Sequence, residues 1–283
     1  MGADRLTLWQ RLSIRRLRRK AGRASGEPLQ PEDWEVAWHL HETGLGRFTG
    51  WAFRHLPSSP RCAVCAAPFA GPGRRLAGPL GYRPSRKNPT ICSMCVEYSP
   101  PGGMTMYTGV LFADLRGFTA RFDGADPREA SLLLGRFYRC AEDVLFPDAV
   151  IDKVIGDEVM AIYLPVLKPR MTAADVPALM LEHARSLLRA VGYGSASPPF
   201  AELGIGLDVG DAFVGNIGQR ALYDFTAVGD VVNTASRLQH EAAGGEILLS
   251  ERVARGLPAA PGVRVELALR GKPAPQVAYR VTA

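Results

Sequence analysis

Residues 149 to 164, AVIDKVIGDEVMAIYL, decide how this chain is read. Two apolar arms, Ala149 to Val154 and Val159 to Leu164, flank Ile155, Gly156, Asp157 and Glu158, and a glycine beside an acid between two strand-like runs predicts a hairpin. Upstream, Tyr107 to Ala113 reads as an apolar strand and Pro127 to Phe146 as an amphipathic helix. Downstream come a helix over 172–191, strands near 202–209 and 212–217, a helix over 230–242, and strands near 246–249, 263–269 and 276–281. Strand, helix, hairpin, helix, strand is the order of a ferredoxin-like βαββαβ core, so the prediction is an α+β fold with a C-terminal extension.

The 283 residues suffice for this domain plus an accessory module. A hydrophobic content of 47% with 22% charged residues excludes a disordered or fibrous chain. The net charge of +6 is not spread evenly. Residues 1–24 hold Arg5, Arg11, Arg15, Arg16, Arg18, Arg19, Lys20 and Arg23 against Asp4 alone, a net of +7, leaving 26 basic and 27 acidic residues elsewhere. Within this segment LTLWQRLSIRRLRRK sets Leu6, Trp9, Leu12, Ile14 and Leu17 among arginines, which predicts a basic amphipathic helix. Its role is open between a solvated terminus and contact with a membrane surface, a partner helix or nucleic acid. Residues 25–56 form a helical segment with Trp34, Val36, Trp38 and Leu40, and 57–103 a loop-rich module and linker. No apolar run approaches the roughly 18 to 20 residues that cross a bilayer, and no signal-peptide core is present, so the expectation is a cytoplasmic chain, peripheral at a membrane at most.

Cys62-x-x-Cys65 and Cys92-x-x-Cys95 stand 26 residues apart, a spacing that lets two tight knuckles supply four thiolates to one structural Zn²⁺. The intervening segment is too poor in apolar residues to form its own core, so a metal would supply what burial does not. A redox pair or an iron–sulfur site are the competing readings. Arg83, Arg86 and Lys87 read as a solvated loop, and the lack of aromatics interleaved with basic residues around the cysteines argues against a nucleic-acid partner. Cys140, in the helical run Leu132, Leu133, Phe137, Ala141 and Val144, reads as a buried, inert thiol.

The strand VLFAD ends at Asp114, followed by Leu115, Arg116, Gly117, Phe118 and Thr119, a strand-to-helix turn whose backbone N–H groups suit phosphate oxygens. In the predicted sheet Asp157, at the hairpin turn, lies beside this strand. Two carboxylates there can hold two Mg²⁺ ions over a triphosphate, because hard cations take oxygen ligands and bridge phosphates.

Three motifs in order, VLFADLRGFT, DKVIGDEVMAIY and FTAVGDVVNTASRL, resemble class III adenylate and guanylate cyclases over residues 104–283. The resemblance implies roles residue by residue. Asp114 and Asp157 match the two aspartates that bind Mg²⁺ or Mn²⁺, with the carbonyl of Leu115 as a further ligand. Gly117, Phe118 and Thr119 fall on the phosphate turn. Lys153 matches the adenine-reading lysine, and Thr226 the second base-selecting position, as in the subgroup called class IIIb. Asn233 and Arg237 match the ribose-orienting and transition-state-stabilising pair, and Lys272 the lysine on the terminal phosphates. Arginine outnumbers lysine 29 to 5, yet two of the five lysines occupy the two positions where the family requires one.

Lys153 donates to a purine ring nitrogen, and the Thr226 hydroxyl can accept from the exocyclic amine, so ATP is favoured over GTP. The implied reaction is attack of the ribose 3′-oxygen on the α-phosphorus, giving 3′,5′-cyclic AMP and pyrophosphate with two metals assisting. The resemblance also implies a head-to-tail homodimer with composite sites. The segment Ile205 to Ile217 reads as a glycine-marked hairpin, with Asp208 where the family commonly has histidine. The alternative is a catalytically silent cyclase-like module for nucleotide sensing or dimerisation, and the filled set of positions speaks against it.

Overall fold

The computed structural model describes residues 7–42, 44–85, 89–146, 148–167, 171–219 and 222–283. Asp4, Arg5 and Leu6, Arg86 and Lys87, and the side chain of Trp38 lie outside the described residues. The chain divides into two compact units, one of Met1–Thr105 with Phe213–Ala227 and one of Met106–Ala212 with Val228–Ala283.

The first unit carries helices α1 (Leu8–Lys20), α2 (Asp33–Glu42), α3 (Gly44–His55), α4 (Gly71–Ala77) and α5 (Ser93–Val96). Thr7 opens α1 with a capping box: its hydroxyl accepts from Gln10 N at 3.2 Å, and Gln10 Oε1 accepts from Thr7 N at 2.8 Å. Gln10 and Leu17 are buried, Trp9 Nε1 donates to the Tyr82 hydroxyl at 3.1 Å, and Gln10 Nε2 donates to Gly81 O at 3.4 Å. Helix α1 is therefore packed onto its own unit rather than being a solvated tail. Arg11, Arg15 and Arg19 stay exposed beside Leu8 and Leu12. Between α1 and α2 the buried Asp33 accepts two bonds from Arg23 Nε, at 3.2 and 3.0 Å, which pins the connection.

The mixed sheet comprises β1 (Gly102–Leu115), β2 (Val150–Ile155), β3 (Glu158–Tyr163), β4 (Leu203–Gln219), β5 (Leu222–Val228), β6 (Glu246–Ser250), β7 (Val263–Leu267) and β8 (Gln276–Thr282). Its order is β2-β3-β1-β4-β6-β8-β7, with β5 on β4. The first four of that path, β2-β3-β1-β4, are the predicted βαββαβ core, and the α+β fold class is as the sequence predicts. Helices α6 (Phe118–Phe122), α7 (Pro127–Leu145), α8 (Val176–Val191), α9 (Asp230–Glu241) and α10 (Glu251–Arg255) complete the order.

Alternation along the strands sends successive side chains to opposite faces. One face joins Leu111, Ala113, Val159, Ala161, Leu207 and Leu249 to Phe137, Ala141 and Leu145 of α7 and Met180, Ala184 and Leu187 of α8. The other gathers Leu248, Leu269 and Ala278 under Leu238 and Ala242 from α9 and its end. Gly206 lets α9 lie directly on β4: a Cβ there would meet Ala235 O at 2.2 Å and Gln239 N at 2.3 Å.

Two expectations are corrected and one strand is added. Ile205 to Ile217 is not a hairpin but part of the single strand β4, because Gly210 keeps a backbone conformation outside the left-handed region a tight turn needs. Strand β5, which pairs with β4, does not follow from the periodicity although LYDFTAV is rich in aromatic and β-branched residues. Cys140 is half-buried, its Sγ 3.7 Å from Ala190 O, because it sits on the flank of α7 turned to the end of α8, and Leu132 of the same run is exposed.

Candidate active site

The end of β1 and the β2–β3 turn meet because β1 and β3 pair antiparallel with Asp114 opposite Glu158. Leu115 N donates to Asp157 O at 3.3 Å, closing the junction. Burial, then the charge of Asp157, pushes the Asp114 carboxyl above its usual range; burial, then Asp114, does the same to Glu158. Like charges held together and partly desolvated are costly alone and favourable around a hard divalent cation, so this donor set fits one. The Leu115 side chain is buried and carries no ligand atom, so its backbone carbonyl is the only group it could offer such an ion.

Gln239 and Arg116, which sequence reasoning missed, complete the surroundings of Asp114. Gln239, fully buried on α9, donates from Nε2 to Asp114 Oδ2 at 3.0 Å, and Arg116 NH2 lies 3.5 Å from the same oxygen. Arg116 NH2 also donates to Gln239 O at 2.7 Å, and its backbone N–H to Glu202 O at 2.8 Å. The available signals were their positions, Arg116 inside VLFADLRGFT and Gln239 one residue past FTAVGDVVNTASRL. Gly117 caps α6 in the left-handed conformation at φ 68°, with Phe118 half-buried and Thr119 exposed behind it.

Lys153 follows a register shift on β2, and its Nζ lies 3.4 Å from Oδ2 of the buried Asp152. Thr226 is buried on β5 and belongs to the first unit, whereas Lys153 belongs to the second. Asn233 is exposed and Arg237 half-buried, one turn apart on α9. A Cβ on Gly271 would come within 3.3 Å of Arg237 NH2, so this guanidinium lies over the loop that carries Lys272. Lys272 Nζ donates to Asp230 Oδ1 at 2.5 Å. The structure thus gathers Asp114, Leu115 and Asp157 in one place and Arg237 with Lys272 in another. Residues 237 and 239 stand about 200° apart around a helix, so α9 turns Gln239 to Asp114 and Arg237 away from it.

In the first unit the four Sγ atoms of Cys62, Cys65, Cys92 and Cys95 all lie within 4.8 Å of one another. Cys65 N and Cys92 N both donate to Cys62 Sγ, at 3.4 and 3.2 Å, the pattern of two knuckles folded around shared sulfur charge. Burial opposes charge on Cys62, but hydrogen bonds from the other three thiols hold it well below the usual thiol range. Burial and Cys62 push Cys92 well above that range.

Among the described residues no helix is long and apolar enough to cross a membrane. Residues 104–279 match the family model described as "Adenylate and Guanylate cyclase catalytic domain". An adenylate cyclase of Anabaena cylindrica is 30% identical over 154 residues, 52% of this chain and 30% of that protein. Adenylate cyclase 1 of Rhizobium meliloti (strain 1021) is 31% identical over 132 residues, 46% of this chain and 20% of its own length. The chain therefore spans less than a third of the length of these curated relatives. The crystal structure of the guanylyl cyclase Cya2 superposes with a TM-score of 0.52 at 26% identity, over 64% of this chain and 93% of that one. That of the adenylyl cyclase CyaB from P. aeruginosa, at 23% identity, shares the fold with a TM-score of 0.54 over 64% of this chain and 96% of its own. With the matched segment covering most of the sheet and both carboxylates, the chain belongs to the adenylate and guanylate cyclase catalytic domain family.

Proposed function

We propose that the chain is an adenylate cyclase, converting ATP to 3′,5′-cyclic AMP and pyrophosphate at composite sites of a homodimer. The observation that carries this reading is the junction of Asp114 and Asp157 at the end of β1, where burial and then the Asp157 charge push the Asp114 carboxyl above its usual range. Asp114, Asp157 and the Leu115 carbonyl would hold two Mg²⁺ or Mn²⁺ ions, which when bound acidify the ribose 3′-hydroxyl and neutralise the triphosphate. Gln239 and Arg116 orient the Asp114 carboxylate. Asn233 fixes the ribose so that the 3′-oxygen attacks in line, and Arg237 stabilises charge developing at the α-phosphate. Lys272 takes the terminal phosphates, the N–H groups of Gly117, Phe118 and Thr119 assist, and Lys153 with Thr226 reads the base.

The names of the relatives divide between adenylate and guanylyl cyclases. Donor inventory favours ATP: an ammonium at Lys153 pairs with a purine acceptor and leaves the N1 and N2 hydrogens of guanine unpaired. The homodimer is supported by α9, which turns Arg237 away from its own Asp114, so that a second copy is needed to bring the two sets onto one substrate. The four cysteines suit a structural Zn²⁺: a tetrahedral Zn–S bond of about 2.3 Å sets sulfurs about 3.8 Å apart, and Cys92 Sγ lies 3.5 Å from both Cys65 and Cys95. The exposed Arg11, Arg15, Arg19, Leu8 and Leu12 of α1 suit peripheral contact with an anionic membrane surface, testable by vesicle co-sedimentation.

The test is cyclic nucleotide formation from ATP and from GTP with Mg²⁺ or Mn²⁺. Asp114→Ala and Asp157→Ala should each abolish product; full activity in either variant removes the assignment.

A further inference from the structure

Asp208, the departure from the family pattern, is fully buried on β4 and anchors a chain of charges. Its Oδ1 accepts from Ser250 Oγ at 2.5 Å and from Arg252 Nε at 3.0 Å, and its Oδ2 from Arg252 NH2. Arg252 is thereby gripped on one side. On the other, its NH2 lies 3.4 Å from Asp230 Oδ2, a long contact with room to tighten. Asp230 in turn holds Lys272 through its other oxygen. The Lys272 ammonium, with Arg252, keeps the Asp230 carboxyl below its usual range.

The exposures differ along this chain. The side chain of Lys272 is 15% exposed, that of Asp230 57% and that of Asp208 0%, so the inner end is enclosed while the outer carboxylate, which also accepts from Thr234 Oγ1 at 3.5 Å, faces solvent. Asp230 is also the first residue of the twelve-residue helix α9, whose positive end supports a carboxylate whichever cation it faces. Beside it opens a cavity of about 180 Å³ whose lining mixes the cations Arg252 and Lys272 with the carboxylate of Glu251 and the apolar Leu238, Leu269 and Val277.

We propose that Asp230 occupies, in the free protein, the place on Lys272 that a phosphate takes, and that Arg252, anchored by Asp208, is the positioning residue that receives Asp230 when phosphate displaces it. The proposal rests on the reading of Lys272 as the terminal-phosphate ligand and extends it to Asp230, Arg252 and Asp208. A phosphate polyanion carries more charge than a carboxylate and outcompetes it for an ammonium. Asp230 keeps one cation after the exchange, so the handover costs little. The ligand class is a pyrophosphate-like polyanion: the terminal phosphates of a nucleoside triphosphate, or the pyrophosphate released from it.

The test is calorimetric binding of magnesium pyrophosphate to the full chain, which needs no turnover. Partly exposed ion pairs are worth up to about 1 kcal/mol, so Asp230→Asn should tighten pyrophosphate binding about three- to fivefold. In a Lys272→Ala background the same change should have no such effect. Arg252→Gln, which keeps a donor for Asp208, should weaken binding by a similar factor, with Arg252→Lys restoring part of it. Unchanged or weaker binding in Asp230→Asn overturns the proposal, and so does an equal gain in the Lys272→Ala background, which would mark a bulk charge effect. Should Arg252→Gln fail to fold, the Asp230 and Lys272 cycle decides alone. If that cycle holds while the wild-type chain forms no cyclic nucleotide, the exchange stands and the cyclase reading falls.

Discussion

Gly206→Ala should lift α9 off the sheet. The added Cβ would stand 2.2 Å from Ala235 O and 2.3 Å from Gln239 N, both backbone atoms of a helix that has no freedom to swing a side chain aside. Ordinary contact begins at 3.4 Å, so the helix and β4 must part by about 1.2 Å, the difference between 3.4 and 2.2 Å. Overpacking of this kind costs about 1 to 3 kcal/mol of stability. The functional cost should be larger in proportion, because α9 carries Asn233, Arg237 and the Gln239 that orients Asp114, and a misplacement of about 1 Å can cost on the order of 100-fold in rate. The assay is urea unfolding beside steady-state turnover of ATP. Gly135→Ala on α7 is the matched control: nothing lies within 4 Å of its added Cβ, so it should gain up to about 1 kcal/mol from helix propensity and leave turnover unchanged. If Gly206→Ala unfolds at the wild-type urea midpoint and turns over within about threefold of wild type, the bracing of α9 by β4 does not set the site.

Purified protein should carry one zinc per chain by elemental analysis, and Cys92→Ser should lose that metal and unfold the first unit cooperatively at lower urea; a metal-free wild type refutes the zinc site. Mixing Asp157→Ala with Arg237→Ala protein should restore part of the activity through one intact composite site, whereas a single-chain site predicts none. His183, buried beside the Tyr163 hydroxyl at 3.0 Å, has its pKa lowered by burial despite Asp148. Its unfolded form therefore takes up a proton first, and stability should fall as pH drops through about 6.5 towards the lower folded value. The urea midpoint of wild type should decline more between pH 7.5 and 5.5 than that of His183→Gln; parallel slopes would show that His183 is not the group responsible.

The hairpin around Asp157, the helices α7 and α8 and the two C-x-x-C pairs were all legible in the chain, because each is a local pattern: period two, period 3.6, or a fixed ligand spacing. Arg116 and Gln239 were not. Nothing in their own neighbourhood says that an arginine in a turn and a glutamine 123 residues later share one carboxylate. Strand β4 misled in the same way, since Gly210 looks like a turn until its backbone is seen extended, and the glycine at 206 serves the close approach of a helix rather than a bend.

By itself, then, the order of residues determined the α+β core and pointed to the two carboxylates and the four thiols that the fold brings together. Each depends on residue types at fixed separations, which the chain carries directly. Tertiary structure decided what surrounds those groups: that Asp114 is held by Gln239, that α9 turns Arg237 away from it, and that buried Asp208 reaches Lys272 through Arg252 and Asp230. These are contacts between distant segments, fixed by the packing of α9 and α10 against the sheet, and packing is a property of the whole fold that local sequence does not encode.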